Sequence, residues 1–221
     1  MPTSLVVVPT GGLGNRLRAL FSYLVTARAQ HRTLQVYWKP DPDCVGHFLD
    51  AFCPVPDVQF LQRPPAQFDY RGGGVCPQAG PLTAHTYAQL VPQPELASRI
   101  AELASRPPYD AVHVRRTDHV ALAKQVNQFT PLVVFERFIS DSARAVYLAC
   151  DDRATQQQLV QTYGTKVFTH AAIGASRQLR QTSLKHAVID LWLCAGGVQF
   201  LGTPYSSFSG VIWALRTNPA R

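Results

Sequence analysis

Residues 145–168 read AVYLACDDRATQQQLVQTYGTKVF. Ala145–Ala149 is an apolar run of strand length, Arg153–Tyr163 a helical stretch, and Lys166–Phe168 a second short strand. A strand followed by a helix and then another strand implies a parallel pair joined by a crossover. The same alternation extends in both directions. Ala111–Arg115 (strand) and Leu132–Ser142 (helix) precede it; Ser183–Cys194 (helix), Val198–Leu201 (strand) and Ser207–Leu215 (helix) follow. A parallel sheet with crossover helices is therefore expected, and ligands on such sheets bind at the strands' carboxyl ends. The first half begins in the same way, with a buried strand over residues 4–8, the turn Pro9-Thr10-Gly11-Gly12, and a helix from Asn15 to Gln30 carrying Leu17, Leu20, Phe21 and Leu24 on one face. Leu34–Trp38 alternates as a strand, a short strand is expected near Val58–Leu61, and Glu95–Ser105 reads as a helix. Between Pro40 and Pro94, prolines and Gly72-Gly73-Gly74 punctuate the chain. The expected fold is α/β, with two Rossmann-like lobes facing a cleft. A small, loop-rich lobe would span 1–106 and a second lobe 107–221, divided at Arg106-Pro107-Pro108.

Composition narrows the function. The 221 residues include 46% hydrophobic and 16% charged residues, a globular balance. The net charge is +7, and four lysines (Lys39, Lys124, Lys166, Lys185) leave seventeen of the 21 basic residues as arginine. Arginine's planar fork suits phosphate oxygens, although GC-rich codon usage gives the same excess. The basic residues are scattered rather than striped with aromatics, which argues against nucleic acid as partner. Five cysteines form no Cys-x-x-Cys; Cys44, Cys53 and Cys76 share a loop-rich stretch and could pair in an oxidising compartment. No run of about 18 apolar residues occurs, and Leu5–Val8 is too short for a signal sequence. A cytoplasmic protein is expected, or a lumenal domain lacking its anchor.

Three segments carry polar residues just past strand ends. Gly11-Gly12-Leu13-Gly14-Asn15-Arg16 lets a backbone turn tightly and a ligand approach a helix N-terminus, which favours an anion. It is not a dinucleotide fingerprint, because Leu17 stands at the third glycine's place, and it lacks the Gly-Lys-Ser/Thr ending of a P-loop. His113-Val114-Arg115-Arg116-Thr117-Asp118 sets an imidazole and a guanidinium on one face of a strand end, suited to a phosphate-bearing ligand, unless Arg115 only pairs with Asp118 in a surface turn. Gly202–Gly210 brings Ser206, Ser207 and Ser209 around Phe208 at a helix start, more hydroxyls than one cap requires. Asp41-Pro42-Asp43 has the D-x-D form of metal-binding glycosyltransferases, but a proline between ligands constrains them poorly and no metal is expected there.

The HVRRTD run at 113–118 resembles the donor-binding motif of core α1,6-fucosyltransferases and their bacterial nodulation relatives. VYLACDD at 146–152 resembles their V-Y-x-A-T-D-D strand end. Asp190–Leu193 with Val198–Gly202 and Ser206–Ser209 is similar to the last motif there and in protein O-fucosyltransferases, and Gly12–Arg16 to the G-x-x-G-N turn of α1,2- and O-fucosyltransferases. The ordered set runs from end to end, densest from about 110 to 215. The resemblance implies a GT-B-like, inverting, metal-independent glycosyltransferase without a cofactor, moving fucose from GDP-fucose to a glycan or other hydroxyl acceptor. It implies that Arg115 neutralises the leaving diphosphate, that Ser206, Ser207 and the Phe208 N–H hold the same phosphates, and that His113 and Asp190 contact base or ribose. Asp151 and Asp152 would lie at the nucleotide edge, while Asn15 and Arg16, on the Gly12–Gly14 turn, would face the donor sugar.

The chain also departs from that family. Ala123 stands where core α1,6 enzymes carry an acidic residue, and Cys150 where they carry threonine. The catalytic base is therefore open between Asp118, His119 and no strong base. Another donor such as UDP-xylose, or a non-catalytic sugar-nucleotide or glycan-binding module, is the alternative.

Overall fold

The computed structural model describes residues 3–117, 125, 129–173 and 182–216. Two compact units emerge, one formed by the chain up to Gln93 together with the chain from Trp213 on, the other by Pro94–Ile212.

The first unit is built on a four-stranded parallel sheet. Its strands are β1 (Ser4–Pro9), β2 (Thr33–Val36), β3 (Val58–Phe60) and β4 (Tyr70–Gly72), in the order β3-β2-β1-β4. Helix α1 (Leu13–Ala29) follows β1 and buries Leu13, Leu17, Leu20, Phe21 and Leu24, the i, i+3, i+4 stripe expected of a helix lying on a sheet. Strand β4 was not anticipated. The stretch 37–93 also holds α2 (Ala84–Tyr87) and two short 3-10 turns.

The second unit repeats the plan. Strands β5 (Asp110–Val114), β6 (Val146–Cys150), β7 (Val167–Phe168) and β8 (Phe200–Gly202) pair in parallel in the order β7-β6-β5-β8. Its helices are α3 (Pro94–Ala104), α4 (Leu132–Asp141), α5 (Arg153–Tyr163), α6 (Leu184–Gly196) and α7 (Ser207–Arg216), the last crossing into the first unit's share of the chain. Val112, Val114, Val146, Leu148 and Cys150 point to one face and form a core with Phe135, Ile139 and Leu159. Burial to this degree on both faces is what a parallel sheet requires. The units divide after Gln93 rather than at Arg106-Pro107-Pro108, because α3 packs against α6 and Lys185 Nζ lies 3.5 Å from Glu95.

The order in which strands are added reverses in each sheet between its first and fourth strands, β1/β4 and β5/β8. Chains leaving the two strands diverge there, which opens a crevice at the carboxyl edge. The cysteines are all free thiols, so Cys44, Cys53 and Cys76 are not bridged.

Candidate functional site

The β5/β8 edge collects most of the polar run. Thr203, just past β8, donates its hydroxyl to the His113 carbonyl at 2.8 Å and accepts the Arg115 N–H at 2.9 Å, tying the two strand ends together. The buried His113 ring holds Ser209 Oγ at 2.8 Å through Nδ1 and packs on the Phe208 ring at 4.8 Å. Gly202 makes this possible: a Cβ there would lie 2.8 Å from both Cβ and Oγ of Ser209. Ser206 caps α7, its carbonyl accepting the Gly210 N–H at 3.0 Å and its Oγ the Ser209 N–H at 3.4 Å. The N–H groups of Ser207 and Phe208 open the helix and have no acceptor within it, so this edge presents partial positive charge.

Asp151 organises the loop after β5. Its carboxylate accepts the Arg116 N–H at 2.6 Å, the Thr117 N–H at 3.4 Å and the Thr117 hydroxyl at 2.6 Å, and pairs with Arg115 at 2.9 Å. With Arg115 and Asp151 side chains only 16% and 9% exposed, water screens the pair weakly and the guanidinium is held in one place. Asp152 caps α5, accepting the Thr155 N–H at 2.8 Å and hydroxyl at 2.7 Å.

A second feature lies at the carboxyl ends of β6 and β7. A small pocket there is lined by Cys150, Gln156, His170, His186 and Asp190 among others. Asp190, buried on α6, accepts the Tyr147 hydroxyl at 2.6 Å, and His170 Nε2 lies 3.5 Å from the same oxygen. Burial pushes the Asp190 carboxyl up to about 7 despite the opposing Tyr147 bond. Burial, and then the neighbouring His186, lower His170 to about 4, while Tyr147 is raised and stays protonated. Between those values Asp190 and His170 are both neutral, joined by dipoles rather than by an ion pair. Asp190 thus titrates near neutrality on a pocket wall.

In the first unit, the β1/β4 edge is made of glycine. Gly11 takes a left-handed φ of 76°, Gly12 precedes α1 without a side-chain cap, and Gly72–Gly74 leave β4 beside them. Asn15 stands between these two glycine runs.

No family model and no curated protein matches the sequence. The structure, by contrast, is similar to that of NodZ α1,6-fucosyltransferase co-crystallized with GDP, with a TM-score of 0.66 at 17% identity over 97% of this chain and 93% of that one. The fucosyltransferase NodZ from Bradyrhizobium gives 0.65 at 17% identity over 97% and 94%. POFUT1 in complex with GDP-fucose gives 0.67 at 11% identity over 98% and 94%. The chain has the fucosyltransferase fold. At these identities the likeness is one of architecture.

Within the fucosyltransferase fold, the residues singled out in the sequence fall into three groups. His113 meets Phe208 at the β5/β8 edge, where Thr203 holds the Arg115 N–H and Ser206 and Ser207 start α7, and Asp190 lines the β6/β7 pocket. Gly12, Gly14 and Asn15 stand at the β1/β4 edge. Two expectations need correction. Arg16 does not face a ligand: it is fully buried, gives Nε to the Gly11 carbonyl at 2.6 Å and NH1 to the Lys39 carbonyl at 2.5 Å, and lies 2.6 Å from Asp41. Asp151 and Asp152 spend their carboxylates on their own loop and helix. Asp41 pairs with Arg16 and accepts the N–H groups of Asp43 and Cys44. Asp118, His119 and Ala123 lie outside the described residues. Thr203, Ser209, Tyr147 and His170 were not individually foreseen. Only Ser209 had a signal, as one hydroxyl beyond those a cap needs.

Proposed function

We propose that the chain is an inverting glycosyltransferase that binds GDP-fucose and transfers fucose to a hydroxyl of a glycan, without a metal ion. The observation that carries this reading is Arg115, whose backbone N–H is tied to Thr203 past β8 and whose guanidinium is held by Asp151 past β6, on the same carboxyl edge where α7 begins at Ser207. When a glycosyl–phosphate bond breaks, negative charge grows on the β-phosphate. A guanidinium and helix N–H groups already in place stabilise that charge without reorganising as the bond breaks. Asp151 orients Arg115 in this scheme, and His113, fixed by Ser209 and Phe208, is assigned to the ribose.

The base is assigned to Asp190. Guanine offers its N1–H and 2-amino group side by side, a pair that one carboxylate accepts in bidentate fashion. Uracil offers a single N–H between two carbonyls, which would leave part of the carboxylate facing acceptor oxygens. That mismatch costs about 1–3 kcal/mol, or about tenfold or more in affinity. NodZ crystals with GDP and POFUT1 crystals with GDP-fucose support the choice of guanine.

A thermal-shift series with GDP, UDP and GDP-fucose tests the binding, and release of GDP from GDP-fucose tests the chemistry. GDP should raise the unfolding midpoint more than UDP at equal concentration. UDP binding more tightly would move the donor to another sugar such as xylose. GDP-fucose binding with neither hydrolysis nor transfer would make the chain a binding module.

A further inference from the structure

We propose that Arg18 is a positioning residue, holding Asn15 with its amide oxygen turned inward so that Nδ2 presents its N–H donors to an oxygen of the bound ligand. The inference rests on the reading that Asn15 touches that ligand. Residues 15 and 18 are i and i+3 on α1 and share a face. Arg18 NH2 lies 2.8 Å from Asn15 Oδ1 and 3.3 Å from the Gly73 carbonyl, so one nitrogen ties the helix, the amide and the loop after β4 together. Which end of an asparagine amide faces a neighbour is normally a matter of assignment, but a guanidinium only donates. The atom beside Arg18 must therefore be the oxygen, and the NH2 group takes the other side.

The packing leaves Asn15 little alternative. A Cβ on Gly73 would lie 2.7 Å from Asn15 Cβ and 3.0 Å from the Thr10 carbonyl, and one on Gly11 would lie 3.0 Å from Asn15 Nδ2. Glycine on both sides lets the side chain stand between β1's exit and β4's exit, at the point where a parallel sheet opens for a ligand. Nδ2 makes no hydrogen bond among the described residues. Arg18 Nε is buried without a hydrogen-bond partner among them, a cost that a simple surface arginine would not carry. Asn15 so held is a donor and cannot accept the acceptor hydroxyl's proton. It is suited to a lone pair on the ligand.

The test is a double-mutant cycle on kcat/KM for GDP-fucose, with Tm measured on every variant. Asn15→Ala and Arg18→Met should each lower kcat/KM by about tenfold or more, and the double variant should fall no further than Asn15→Ala alone. Arg18→Lys, which still donates to Oδ1, should retain most of the activity and covers the case in which Arg18→Met folds poorly. Asn15→Asp should fall below Asn15→Ala, because Arg18 would then turn a second acceptor oxygen toward the ligand. A full additional loss on adding Arg18→Met to Asn15→Ala would overturn the proposal, since Arg18 would then act on its own. An Arg18→Met variant with wild-type kcat/KM would overturn it too. If Asn15→Ala leaves kcat/KM unchanged, or the wild type does not turn over GDP-fucose, the reading of the site itself fails first.

Discussion

The proposed contact between Asp190 and guanine would make nucleotide binding depend on pH. The Asp190 carboxyl sits at about 7, and only the ionised form accepts both N–H groups of guanine. An affinity is reduced by the fraction of protein in the binding-competent state. With a pKa near 7, about one-tenth of Asp190 is ionised at pH 6 and about nine-tenths at pH 8. GDP should therefore bind about tenfold more tightly at pH 8 than at pH 6, a difference of about 1.4 kcal/mol. The terminal phosphate of a nucleoside diphosphate titrates in the same window, so UDP measured alongside removes that contribution. His170, near 4, stays neutral throughout. Calorimetric titrations of GDP and UDP at both pH values, on wild type and on Asp190→Asn, isolate the effect. Asp190→Asn cannot ionise, so its GDP affinity should vary with pH no more than its UDP affinity, and its preference for GDP should largely vanish. A wild-type GDP affinity that tracks UDP across the range, or a pH dependence that persists in Asp190→Asn, would refute the assignment of the base to Asp190.

The same carboxyl carries a stability signature of definite sign. Because its folded value lies above the ordinary carboxyl value of 3.8, the folded state holds a proton that the unfolded chain has released, and stability should fall as pH rises from about 4 to about 7 and then level off. The full amplitude is of order 4 kcal/mol at most, and denaturant titrations of Asp190→Asn should show a flatter profile over that interval. Arg115→Ala should lower turnover by about a hundredfold or more with its fold retained in circular dichroism, since Asp151 keeps its bonds to Arg116 and Thr117; near-normal transfer would end the phosphate assignment. Activity should survive EDTA, and loss in chelator with rescue by Mn²⁺ or Mg²⁺ would transfer the role of Arg115 to a metal.

The second unit was legible because burial left its pattern in short apolar runs. Val112 and Val114, or Val146 and Leu148, are separated by one residue and face the same core. Strand β4 was not legible. Tyr70–Gly72 is three residues long, is followed by further glycines, and is a strand only because β1 offers it an edge. Arg16 was misread for a reason of helix geometry: successive residues point about 100° apart, so Asn15 stays at the sheet's edge while Arg16 turns into the core. Asp151 and Asp152 look like ligand carboxylates in sequence, yet backbone donors nearby compete for them, and Asp152 three residues before Thr155 is an ordinary helix cap. The Tyr147–Asp190–His170 cluster joins residues from β6, α6 and the segment after β7, and no local pattern announces a contact across such separations.

The two sheets share the order of first, second, third and fourth strands although the sequence shows no internal repeat. Right-handed crossovers and parallel pairing restrict how four strands can be joined, so one topology recurs without residues in common. What differs is how each opening is held. At β5/β8 the loop is pinned by charge, Asp151 against Arg115 and the N–H groups of Arg116 and Thr117. At β1/β4, Gly11 and Gly73 close on Asn15, and Arg18 ties its amide oxygen to the Gly73 carbonyl. The first corner offers a fixed guanidinium suited to a group that gathers negative charge, and the second a fixed amide N–H suited to an uncharged oxygen.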